Sequence, residues 1–181
     1  MKYLCRGSCP GTLIGQINKT LRDNVMSKKC PIIIAFLLLI IAGGIYKFIF
    51  QGSVSESTDG RIAIHINGGE RDLVLGEMRM FLESVQKITI GVNEGDMKLV
   101  AESARTVGKA AQAAVPGTLM GKLPVEFKTL GFDTHSKFDE LALHAEQLGD
   151  PEYSLRQLSA LMNNCIACHS AYKIEMTSSR L

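Results

Sequence analysis

The sequence predicts an all-α protein, an antiparallel four-helix bundle preceded by one N-terminal transmembrane helix. Three observations carry this expectation. Residues 31–50, PIIIAFLLLIIAGGIYKFIF, form an apolar run whose one charge is Lys47. From residue 70 onward, apolar side chains recur at spacings of three and four, and turn-forming Gly or Pro residues interrupt them. The 181 residues are 46% hydrophobic and 21% charged, which fits one ordered domain with an appendage and excludes wholesale disorder. With no Trp and only 6% aromatic residues, the core must be mostly aliphatic. A formal net charge of +2 gives no general case for a nucleic-acid partner.

The apolar run comes first. Twenty helical residues span about 30 Å, the thickness of the hydrocarbon layer. Lys47 sits near the far end, where its stem can snorkel. Lys2, Arg6, Lys19, Arg22, Lys28 and Lys29 precede the run, whereas Arg61 alone follows within twenty residues. The basic flank stays inside. Residues 1–30 are therefore expected in the cytoplasm, residues 31–50 in the membrane, and the rest in the periplasm. The alternative is a soluble periplasmic protein released by signal cleavage at Ala42-Gly43-Gly44. The apolar stretch continuing through Tyr46, Phe48, Ile49 and Phe50 favours a retained anchor. A start at Met26 would leave residues 1–25 untranslated. Cys5, Cys9 and Cys30 fall on the reducing side and read as incidental.

Residues 51–67 read as a linker, polar and Gly/Ser-rich at first. RIAIHIN, 61–67, alternates like a strand, but with no partner in view it reads as an extended arm. Four helices are expected over 68–181. The first covers about 70–92, where Val74, Met78, Phe81, Val85, Ile88 and Val92 follow at spacings of 4, 3, 4, 3 and 4. Met80 falls with Glu77, Ser84 and Lys87 on the opposite, wet face. Gly95-Asp96 ends this helix. The second covers about 97–114 and stops at Pro116-Gly117. A long loop with Pro124, Phe127, Leu130 and Phe132 leads to the third, about 135–148, with Phe138, Leu141, Ala145 and Leu148 inward. The fourth begins after the Asp150 cap and Pro151, and runs to about 174. Its stripe is Leu155, Leu158, Met162, Cys165, His169 and Tyr172.

That last helix holds Cys165-Ile166-Ala167-Cys168-His169, the C-x-x-C-H signature of covalent c-type haem attachment. Two thiols three residues apart share a helix face and reach two vinyl groups of one porphyrin. The adjacent imidazole then ligates the iron. With 5 Cys and 4 His in the chain, the expected number of chance matches is roughly 0.003. Structural zinc needs four ligands, and a thioredoxin-like dithiol belongs to a βαβ context that the pattern lacks. Attachment of haem c outside the cytoplasmic membrane agrees with export and requires the c-type haem maturation machinery.

CIACHSAYK, 165–173, resembles the C-x-x-C-H-x-x-Y-[RK] ending of the class II cytochromes c, the cytochrome c′ group. The likeness extends over about 68–175, by helix pattern and spacing outside the motif. It implies one covalent haem c held by Cys165 and Cys168, with His169 as proximal ligand. It also implies a sixth position facing the first helix, taken by Met in low-spin members and left open beside an apolar residue in five-coordinate ones. Met78, on the inner stripe, is the expected sixth ligand, and Glu77-Met78-Arg79 matches the spacing in low-spin members. The simpler reading is that Met78 fills core. His135, expected to open the third helix, is the alternative ligand; His65, His144 and Met120 are weaker candidates. Arg79 and Lys173 are candidate partners of a haem propionate.

A Met–His iron raises the reduction potential and leaves no substrate position. The expectation is therefore not an enzyme but a membrane-tethered monohaem electron carrier serving redox partner proteins at the membrane. The alternative is a five-coordinate protein binding NO or CO. The resemblance also raises a homodimer, which no residue pattern here tests.

Overall fold

The computed structural model describes residues 29–177. The expectations placed on residues 1–28, Cys5, Cys9 and the start at Met26 among them, lie outside the described residues.

The apolar run is helical. Helix α1 covers Lys29–Ile45, and Tyr46–Gln51 follows with π-helical winding. The stretch Pro31–Gln51 is long and apolar enough to cross a membrane, a property that signal sequences share. The chain divides into two compact units after Ile45, so Tyr46 and the residues that follow belong to the globular unit.

The globular unit is mostly helical, but it is not all-α. Strand β1 (Val54–Glu56) runs antiparallel to β2 (Ile62–Ile66), which pairs in parallel with β3 (Tyr172–Met176). The helices are α2 (Gly68–Glu94), α3 (Met97–Thr106), the single turn α4 (Gly117–Met120), α5 (Val125–Leu148) and α6 (Pro151–Ala171). Among the long helices, α2 packs on α3, α3 on α5, α5 on α6, and α6 more sparingly on α2.

Local chemistry accounts for most boundaries. Asn67 caps α2 through a capping box with Glu70, each bond 2.9 Å. Gly95, at φ +73°, ends that helix in the left-handed region where a side chain would be strained. Asp96 and Asp150 accept from the first-turn amides of α3 and α6.

Several expectations need correction. The 61–67 arm is the central strand of a sheet: Ala63, Ile64 and Ile66 are buried, and Ile62, Ala63 and Ile64 pair on both sides. The 51–67 linker is structured through β1 and β2. The fourth helix stops at Ala171, and 172–176 form β3; Tyr172 keeps the helical spacing from His169, which disguised the change of structure. The third helix begins ten residues earlier than expected, at Val125 rather than His135. Phe127, Leu130, Thr134 and Phe138 continue one stripe at spacings of 3, 4 and 4. The second helix ends at Thr106, and Lys109–Ala114 is a separate 3-10 segment. On α6 the inward residues are Leu158, Leu161 and Asn164; Leu155 and Met162 are exposed. On α2, Ser84 is buried rather than wet, and Leu148 of α5 is exposed.

Two apolar clusters result. One lies among the helices, around Ile88, Val100, Phe138, Leu141 and Leu161, with the Phe81 ring stacked on Phe138 at 5.5 Å. The other lies under the sheet, where Ile64, Ile66, Val74, Leu119, Leu123 and Tyr172 meet.

Candidate functional site

Cys165 and Cys168 sit in the last two turns of α6, where the two clusters join. Cys165 packs against the cluster among the helices, Cys168 against the one under the sheet. Both are half-buried free thiols. Burial pushes the Cys165 thiol up, and burial followed by the nearby Cys165 pushes Cys168 up to about 11. At neutral pH both are protonated thiols. A redox-active dithiol requires the reverse, a thiol pKa held low by a positive environment.

His169 follows one turn after Cys165 and is exposed. The chain has 4 His, all within the described residues, and they differ in one respect. His65 Nε2 is hydrogen-bonded to Ser55 Oγ at 2.7 Å. His144 Nδ1 accepts from Gln157 Nε2 at 2.7 Å. His135 is buried in the interior of α5, not at its start. Its Nδ1–H donates to the Val107 carbonyl at 2.7 Å, and Nε2 lies 3.2 Å from Glu77 Oε1. Burial opposes charge on the His135 ring, but the Glu77 carboxylate and the Val107 and Gly108 carbonyls outweigh it and hold its pKa above the usual range. Both nitrogens of His135 are thus engaged. Among the described residues, only the His169 ring has no hydrogen-bond or ion-pair partner.

Met78 is half-buried on α2. It lies between Val74, in the cluster that Cys168 joins, and Phe81, packed on the cluster that Cys165 joins. The structure thus brings residues on either side of Met78 into the clusters that the two cysteines join. Met80 is exposed, as its phase predicts. Met120 borders the cluster under the sheet.

Each of α2 and α6 also carries exposed apolar side chains. Leu82, four residues after Met78, is 72% exposed, and Ile166, three before His169, is 65% exposed. Met162, seven before His169, shares the flank of Ile166 and is exposed too.

These residues fit a covalent haem c. Two free thiols share one helix face, each packed against an apolar cluster, and an imidazole without a partner among the described residues follows them in the chain. Among the described residues, no three His, Cys, Asp or Glu side chains gather as they would around an ion. Haem c asks for no such gathering, because the thiols bond the porphyrin edge and one imidazole reaches the iron.

Sequence reasoning did not find the polar support behind the motif. Asn164, buried beside Cys165, donates through Nδ2 to Asp133 Oδ2 at 2.7 Å and to Thr134 Oγ1 at 3.3 Å. Lys137 Nζ donates to Asp133 and, at 3.3 Å, to Asn164 Oδ1. A polar residue at an inward phase of α6 was the available signal. Of the candidate propionate partners, Lys173 is paired with Glu175 at 2.7 Å, and Arg79 is exposed.

No protein-family model, curated protein or solved structure significantly matches the chain. The likeness to class II cytochromes c rests on the residues quoted above.

Proposed function

We propose that this protein is a membrane-anchored monohaem c-type cytochrome that carries single electrons on the periplasmic face of the cytoplasmic membrane. The observation that carries the reading is the state of His169: of the four histidines it alone has no partner among the described residues, and it is the one that follows two free thiols in C-x-x-C-H. In this reading α2, α3, α5 and α6 make an antiparallel four-helix bundle, the sheet closes one end, and Pro31–Gln51 is the anchor.

Bound haem supplies a one-electron change at its iron. The chain's own residues do the rest. Cys165 and Cys168 would hold the porphyrin through thioethers, each thiol adding its S–H across a vinyl group. His169 would offer an imidazole nitrogen to the iron, and Met78 a thioether sulfur. Asn164 fixes α6 against α5, which would restrict movement of the turns that carry His169.

The test is an optical spectrum of the full chain, produced with c-type maturation machinery and purified in detergent, oxidised and reduced. A six-coordinate low-spin spectrum that becomes high-spin in Met78→Ala is the expected result. A high-spin spectrum in the unaltered protein, shifting with CO, would replace the carrier with a gas-binding protein. Absence of a Soret band would remove both.

A further inference from the structure

The apolar stretch does not hand over to a flexible tether. Its last residues, Tyr46–Gln51, belong to the globular unit. Lys128 Nζ, on α5, donates to the Ile49 carbonyl at 2.8 Å and reaches the Met120 carbonyl at 3.4 Å. Ser53 N–H donates to the Lys122 carbonyl at 2.7 Å, and His65 N–H to Ser53 O at 2.8 Å. Gly52 is buried at φ +69°; a Cβ there would strike the Lys122 carbonyl and lie 2.8 Å from the Leu123 backbone. Only glycine lets the chain pass. The segment is fastened before, at and after Gly52.

This has a geometric consequence. If Ile49 and Phe50 end the hydrocarbon span, whatever touches them stands at headgroup level. Lys128 touches Ile49. Phe132, one turn further along the same flank of α5, is 45% exposed, and the Tyr46 and Phe48 rings are exposed at 63% and 68%. Aromatic rings with a lysine are the composition of a membrane interface, where rings sit among headgroups and an ammonium meets lipid phosphate.

We propose that the α4–α5 corner, with Lys128 and Phe132 at its face, rests on the outer headgroup layer and holds the globular unit in one orientation on the bilayer. This rests on the reading of Pro31–Gln51 as a retained anchor. The seating also keeps the C-x-x-C-H turns close to the membrane. Asn164 contacts Asp133 and Thr134, about 9 Å along α5 from Lys128. Tyr172, just after the motif, packs its ring on Phe127 at 5.4 Å. These contacts tie the helix that carries Cys165 to His169 to the same stretch of α5 that bears Lys128. Electron exchange would then favour a partner in the membrane plane.

The experiment places photoreactive benzoylphenylalanine singly at Phe48, Thr129, Phe132 and Asn93 of the full chain. The protein is reconstituted in vesicles of phosphatidylethanolamine and phosphatidylglycerol. Asn93 lies roughly 35 Å along α2 from the Glu70–Lys122 pair and reports the distant end. Lipid capture at 48, 129 and 132, with none above background at 93, is the expected result. A long Gly-Ser insertion between Gln51 and Gly52, which leaves every side chain of the fold in place, should abolish capture at 129 and 132 and spare it at 48. Gly52→Val should act in the same direction. Capture at 48 alone, or equally at 93, would overturn the seating while leaving the anchor intact. Release of the protein from the vesicles by alkaline carbonate would overturn the anchor and the seating together.

Discussion

Asn164→Leu removes the polar link between α6 and α5 while nearly preserving volume. The bond from Asn164 to the Asp133 carboxylate, 2.7 Å long, is charge-assisted. Such bonds contribute about 1.5–3 kcal/mol, and the lower end applies because the Asp133 side chain is 47% exposed. The two contacts at 3.3 Å add a few tenths each. Nothing is left unsatisfied afterwards, since Thr134 Oγ1 still donates to the Leu130 carbonyl and Asp133 still accepts from Lys137. The expected loss is about 2 kcal/mol, or roughly 8 °C in Tm for a unit of this size. Lys137 first, and Asn164 second, hold the Asp133 carboxyl below its ordinary range. A depressed carboxylate stabilises above its unfolded pKa, and that contribution fades as pH falls through the folded value. The gap between the two proteins should therefore narrow as pH drops below about 4. Urea unfolding followed by circular dichroism, across a pH series, measures both effects. A variant within about 0.5 kcal/mol of the parent at pH 7, or a gap that persists in acid, would refute the reasoning.

Three further outcomes are expected. Glu77→Gln should alter the pH dependence of stability: a raised histidine stabilises below its unfolded pKa near 6.5 and loses that contribution as pH rises through its folded value. Thermal scans should show the parent losing more Tm than the variant between about pH 6.5 and 8. Phe138→Ala, at a site that is 0% exposed, should cost about 3–5 kcal/mol in denaturant titration, partly through loss of the Phe81 stack. Cys165→Ala and Cys168→Ala should each retain haem staining on denaturing gels through the remaining thioether, and the double variant should lose it; staining in the double variant would exclude thioether attachment.

The local features of this protein were legible because each depends on neighbours in the chain. The apolar run, the Asp96 and Asp150 caps, the Gly95 stop and the C-x-x-C-H spacing are written within a turn or two of sequence. The inward phase of Val74, Ile88, Phe138 and Leu158 was visible for the same reason. Ile62–Ile66 already had the alternation of a strand. Its partner Tyr172–Met176 lies over a hundred residues away, and no local pattern names a strand's neighbour. The helical start at Val125 was hidden by Gly131 and by two threonines, Thr129 and Thr134, whose hydroxyls bond back to carbonyls one turn earlier.

The candidate site divides in the same way. The sequence by itself named the candidate donors, Cys165, Cys168, His169 and Met78, because that proposal rests on residue type and spacing. Tertiary structure alone decided which histidine stays unengaged. Val107 and Glu77 occupy the His135 ring from two other segments, and Ser55 and Gln157 occupy His65 and His144. It also decided that Gln51 to Val54 is a fastened joint rather than a loose tether, since the Lys122 carbonyl that pins Gly52 and Ser53 comes from seventy residues further along. Hydrogen-bond partners brought together by packing carry no mark in the sequence around either member. Periodicity and spacing therefore named the groups, and only the folded chain showed which of them remain unengaged.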